Sequence, residues 1–84
     1  MTYSVSVERA AQRGLERLPE HARRRASSAI VALADEPRPS GCKKLKGYQR
    51  RYRIRVGDYR VIYDVFGSEL VVIVIDAGNR DSVY

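Results

Sequence analysis

The sequence predicts an α+β fold of order β-α-α-β-β-β-β, with a two-helix hairpin packed on a mainly antiparallel sheet. Three observations predict it. Residues 52–63, YRIRVGDYRVIY, alternate apolar and basic on either side of Gly57-Asp58, as the two arms of a β-hairpin do. Residues 8–35 instead carry their apolar side chains at helical spacing, interrupted once at Pro19. After Gly41 the chain is β-rich, so one helical block falls between strands, and a layer of helices on a sheet follows.

The elements can be taken in order. Residues 2–7, TYSVSV, alternate apolar and polar and read as a first strand. From Glu8, the spacing of Ala11, Leu15 and Leu18 predicts a short amphipathic helix that ends before Pro19. Pro19 suits the first turn of a second helix, with Glu20 at its positive end. Ala22, Ala26, Ala29, Ile30 and Leu33 give that helix an apolar stripe, and Arg23, Arg24 and Arg25 give it a basic shoulder. It should end near Asp35, because EPRPSG at 36–41 breaks any helix. Four strands are then expected in CKKLKGY, YRIRV, YRVIYDV and LVVIVIDA, the last two joined by a two-residue Gly67-Ser68 turn. The run LVVIVI at 70–75 reads as a central strand covered at least partly on both faces.

Length and composition bound the rest. Eighty-four residues make one domain, 1–84, with one modest core, and 44% hydrophobic residues suit a folded chain. The start, MTYSVSVERA, has no long apolar run, and the six residues 70–75 are far too few to span a bilayer. The single cysteine, Cys42, can form no internal disulfide and offers no metal-site spacing, so a reducing cytosol is expected, with no metal and no cofactor. Sixteen basic residues against ten acidic leave a net charge of +6, and thirteen of the sixteen are arginine. Such an excess points to a polyanionic or acidic partner, and arginine favours forked contacts to phosphate.

The hairpin sharpens that expectation. If Gly57-Asp58 forms a two-residue turn, Val56 faces Tyr59 and Arg55 faces Arg60 directly. Like charges opposed across strands destabilise a sheet by roughly 0.2–1 kcal/mol. A bound phosphate would turn that repulsion into shared charge-assisted hydrogen bonds. The alternative is a solvated face, with the guanidinium groups splayed into water or paired with Asp64. Tyr59 and Tyr63 fall on the side opposite Arg60 and should be core.

LERLPE at 15–20, KKLKG at 43–47, YRIRVGDYRVIYDV at 52–65 and VVIVIDAGNRDSVY at 71–84 together resemble the RelE/ParE superfamily of toxins from type II toxin–antitoxin pairs. The resemblance covers essentially the whole chain. RelE-like members cleave mRNA in the ribosomal A site; ParE-like members poison DNA gyrase. Carried over position by position, the RelE-like catalytic face falls on Arg53, Arg55, Arg60, Arg80 and Tyr84. The resemblance thus implies a metal-independent endoribonuclease. Its 2′-OH attack would be served by Tyr84 as base or orienting group, with Asp81 as a fallback base, and by Arg60 and Arg80 on the phosphate. Lys43, Lys44 and Lys46, with Arg23, Arg24, Arg25, Arg50 and Arg51, would contact ribosomal RNA. The implied partners are a cognate acidic antitoxin, in a toxin–antitoxin hetero-oligomer, and the ribosome, with no membrane. The chain departs from the pattern where some relatives carry lysine at the positions of Arg53 and Arg55, and many carry histidine at that of Asn79. A gyrase inhibitor and a homologue that only binds antitoxin or RNA are the alternatives.

Overall fold

The computed structural model describes residues 2–79. Strand β1 (Ser4–Val7) leads into helices α1 (Arg9–Glu16) and α2 (Glu20–Ala32), followed by β2 (Lys43–Lys44), β3 (Arg51–Val56), β4 (Tyr59–Phe66) and β5 (Val71–Asn79). The five strands form one sheet of order β1-β5-β4-β3-β2. β1 runs parallel to β5 and the other neighbours are antiparallel, so the sheet is mixed at one edge. The parallel pair follows from the two helices, which carry the chain back across one face before β2 begins.

Alternation sorts the side chains. Ile54 and Val56 of β3, Val61, Tyr63 and Val65 of β4, and Val72, Val74 and Ala77 of β5 are buried under the helices. Ala11, Leu18, Ala22, Ala26, Ile30 and Leu33 meet them, which are the stripes expected of α1 and α2. Contact is very close at Gly14 of α1, where an added Cβ would stand 1.8 Å from the Ala77 carbonyl oxygen. Only glycine lets the helix lie directly on β5 there. Pro19 sits one residue ahead of α2, and its carbonyl accepts the Arg23 N–H at 2.9 Å. Past Ala32 the helix tightens into turns, with the Ala34 N–H on the Val31 carbonyl and the Glu36 N–H on Ala32.

The segment after α2 is pinned by tyrosines. The Tyr63 hydroxyl donates to the Pro37 carbonyl at 2.8 Å, and Arg38 Nε donates to the Tyr52 hydroxyl at 3.0 Å. Tyr52 and Tyr63 are directly opposed on β3 and β4, with ring centroids 6.0 Å apart. Burial raises the Tyr63 phenol above its ordinary value, so it stays a donor. Tyr59 packs against the same core from its edge.

Two expectations need correction. The strand drawn through CKKLKGY is only Lys43–Lys44, because Gly47 at φ +85° turns the chain out of the sheet. The link after β4 is four residues, 67–70, rather than a Gly-Ser turn. It leaves Glu69 exposed and sets Val71 opposite Phe66, a favourable aromatic–β-branched pair. β5 also carries one irregularity. Ile62 pairs with Asp76 but Tyr63 pairs with Val74, so Ile75 is an extra residue. This bulge resets the phase and lets both Val74 and Ala77 face the helices.

Candidate functional site

The face of the sheet away from the helices is where the arginines gather. Gly57 takes φ +62° and Asp58 does not take a positive φ, the pattern of a II′ turn. The turn fixes the register as the sequence predicts, Val56 to Tyr59 and Arg55 to Arg60. Arg53 and Arg51 follow along β3, opposite Ile62 and Asp64. Three rows of this hairpin thus carry Arg55/Arg60 at the tip, Arg53/Ile62 in the middle and Arg51/Asp64 at the far end. Directly opposed side chains have Cβ atoms about 4.5–5.5 Å apart, close enough for two guanidinium groups to share one anion.

The rows differ in what they do. At the far end Arg51 and Asp64 form a forked ion pair, Nε to Oδ1 at 2.8 Å and Nη2 to Oδ2 at 3.1 Å. The carboxylate holds the Arg51 guanidinium charged beyond its ordinary range. Arg51 also stacks on the Tyr48 ring at 4.5 Å, and Arg50 on Phe66 at 4.9 Å. Arg51 thus engages both carboxylate oxygens of Asp64. In the middle row, Ile62 is only 4% exposed although it lies outside the core beneath the helices. The Arg53 stem faces it and the Arg53 Nε is itself buried, so this arginine covers an apolar patch as well as carrying charge. Only the tip row sets two arginines opposite each other, and a small cavity of about 80 Å³ lies there between Arg55, Gly57, Asp58 and Arg60.

β5 borders the site. Gly78 lies opposite Arg60, and the bulge brings Asp76 to the same face beside Ile62. Asp76 was not legible as a site residue, because strict alternation along LVVIVIDA gives no sign of the extra residue. Its Oδ1 accepts the following Ala77 N–H at 2.9 Å. Of the expected binding residues, Lys43, Lys44, Lys46 and Arg50 are exposed along the β2 side. Arg23, Arg24 and Arg25 are exposed on α2, where Arg24 pairs with Glu20 at 2.8 Å. Arg24 and Arg25 also line a cleft of about 430 Å³ together with Arg55, a grouping that no spacing in the chain suggests. Arg80, Asp81 and Tyr84 lie outside the described residues.

Comparison with known proteins agrees with this architecture. Residues 5–84 match the family model described as ParE toxin of type II toxin–antitoxin system, parDE. A protein of Methanocaldococcus jannaschii that carries the toxin name RelE1 is 28% identical over 87 residues, all of this chain and 97% of that one. Among solved structures, the archaeal RelE–RelB complex of Pyrococcus horikoshii superposes with a TM-score of 0.84 at 33% identity, over 98% of this chain and 99% of that one. The RelB–RelE complex of Methanococcus jannaschii gives 0.76 at 29% identity, over 90% and 91%. With a family model spanning nearly its whole length and a fold shared with RelE throughout, the chain belongs to the RelE/ParE superfamily of toxins of type II toxin–antitoxin systems.

Proposed function

We propose that the protein is a ribosome-dependent endoribonuclease that cuts mRNA in the A site. The observation that carries this reading is the tip row, where Arg55 stands directly opposite Arg60 on the open face. That arrangement sets two forked donors across one row, well suited to the phosphorane formed when a 2′-OH attacks the adjacent phosphorus. In that step the 2′-oxygen bonds to phosphorus, the P–O5′ bond breaks, and a cyclic phosphate remains. The 2′-OH proton goes to a base and the departing 5′-oxygen takes one up. Arg60 and Arg80 hold the non-bridging oxygens, Arg55 and Arg53 support the developing charge, and Tyr84 serves as the base or orients the 2′-OH. Arginine cannot itself be the base, since it stays protonated at any ordinary pH.

Weak acid–base groups explain why the ribosome is needed, since holding the mRNA in line supplies much of the rate. The work is cytoplasmic, where ribosomes are. An acidic antitoxin is the natural inhibitor of so basic a face, and the RelE–RelB complexes among the structural relatives support such a partner. A gyrase-directed activity is the second reading, favoured by the match to the ParE family model. Primer extension on a defined mRNA, with and without ribosomes stalled at a known codon, tests the first. A cut inside the A-site codon only with ribosomes is the expected result. No cut with folded protein, together with loss of gyrase supercoiling, would establish the second.

A further inference from the structure

The cleft of about 430 Å³ between α2 and β3 is lined by Arg24, Arg25, Ser28, Ala29, Arg55 and Val56. Its position follows from the shortness of β2. β2 pairs only with Tyr52 and Arg53, so β3 runs on past it through Ile54, Arg55 and Val56. At that bare edge the long Arg55 side chain serves two cavities at once. It lines the cleft under α2 and also the small cavity at the hairpin tip with Arg60. From the helix side Arg25 reaches the turn itself, with Nη1 3.5 Å from where a Gly57 Cβ would stand. The result is a continuous basic track from Arg60 through Arg55 to Arg25 and Arg24, leading from the open face round the edge of the sheet onto α2.

We infer that this cleft seats a backbone phosphate of single-stranded RNA, beyond the one held by the Arg55/Arg60 row. The inference rests on the nuclease reading for the direction of the strand, not for the existence of the site. Three guanidinium groups and the Ser28 hydroxyl are all donors, which matches a group that only accepts. Two carboxylates lie near it: Glu20, held on Arg24 in an exposed pair that a phosphate can readily replace, and Asp58, which lines the neighbouring cavities with Arg25 and with Arg55 but not the cleft itself. Arg25 and Ser28 are exposed, so the cleft is open to a strand lying along the surface. A chain running this way is read by charge and not by base, so the site adds grip without codon preference.

The test uses the full-length protein and a short, fluorescein-labelled 2′-O-methyl RNA, which keeps the phosphates but cannot be cut. Binding is measured by anisotropy over a range of salt for the parent, Arg25→Gln, Ser28→Glu and Arg13→Gln. Arg13 is exposed on α1 and lines neither cavity, so it controls for general charge. Loss of the Arg25 contact should weaken binding about tenfold and flatten the salt slope by about 0.7. Ser28→Glu, which leaves every arginine in place, should do at least as much, and Arg13→Gln clearly less. Unchanged slopes in both cleft variants would overturn the proposal, as would an equal loss in Arg13→Gln. So would a loss confined to binding of a poly-glutamate peptide, which would assign the cleft to a protein carboxylate instead. Cutting of unmodified mRNA on ribosomes by the parent is scored separately. Normal slopes changes without cutting would sink the nuclease reading and leave the cleft standing; cutting with unchanged slopes would sink only the cleft.

Discussion

The two faces of one sheet divide the work of this protein between them. On β3 the residues Tyr52, Ile54 and Val56 turn to the helices, while Arg51, Arg53 and Arg55 turn away. β4 repeats the pattern, with Val61, Tyr63 and Val65 inward and Arg60, Ile62 and Asp64 outward. The covered face holds the fold together by burial, and the open face concentrates positive charge. Because the two alternate residue by residue, a slip of one position would exchange them completely. The Gly57 turn that fixes the register therefore decides which face the arginines occupy.

Substitutions can separate the faces. Leu33, at the C-terminal end of α2, is 1% exposed, and Leu33→Ala should lose about 2–5 kcal/mol in a denaturant titration. Enough of a small domain's stability goes with it that the variant should be largely unfolded near body temperature. If it melts like the parent, the helix-covered face is not the main core. Arg60→Gln should show the opposite pattern, cutting the A-site cleavage rate about 10²–10³-fold with little change in melting temperature. Equal losses of folding and activity would mean that the open face is structural after all. Gly14→Ala should destabilise by about 1–3 kcal/mol despite alanine's better helix propensity, since its Cβ meets the Ala77 carbonyl.

Finer tests follow from single groups. Tyr63→Phe should lose about 1 kcal/mol through its bond to Pro37. It should also change the alkaline limb of stability. In the unfolded chain this phenol titrates near its ordinary value of 10.0, whereas burial makes the folded state keep the proton to higher pH. Above that ordinary value the folded protein therefore loses stability as pH rises, and Tyr63→Phe should flatten the fall. An unchanged alkaline limb would show that Tyr63 is not the group responsible. Smallest and most telling, Arg55→Thr should raise stability by roughly 0.2–1 kcal/mol by removing the opposed charge, while lowering activity. A loss of stability would mean that Arg55 and Arg60 do not repel in the free protein.

What the sequence made legible was local. Alternation and a Gly-Asp turn were enough to pair Arg55 with Arg60, and helical spacing picked out Ala11, Ala22, Ala26 and Leu33 as core. The misses all depend on contacts made at a distance. Nothing in LVVIVIDA marks Ile75 as an extra residue, because the bulge exists to satisfy the helix above it as well as β4. Gly14 reads as a weak helix residue until Ala77 is laid against it. Arg24, Arg25 and Arg55 become neighbours only because β2 stops after two residues and leaves the β3 edge open.

The parallel pairing of β1 with β5 also bears on when the protein can act. β1 is made first, yet its partner in the sheet is the last strand, residues 71–79. α1 rests on that same strand. β1 and α1 therefore have no sheet partner until residues 71–79 arrive, and pairing across such a separation is slow to form. The arginine hairpin gains its β5 neighbour in the same step, so closing the sheet and completing the basic face are one event.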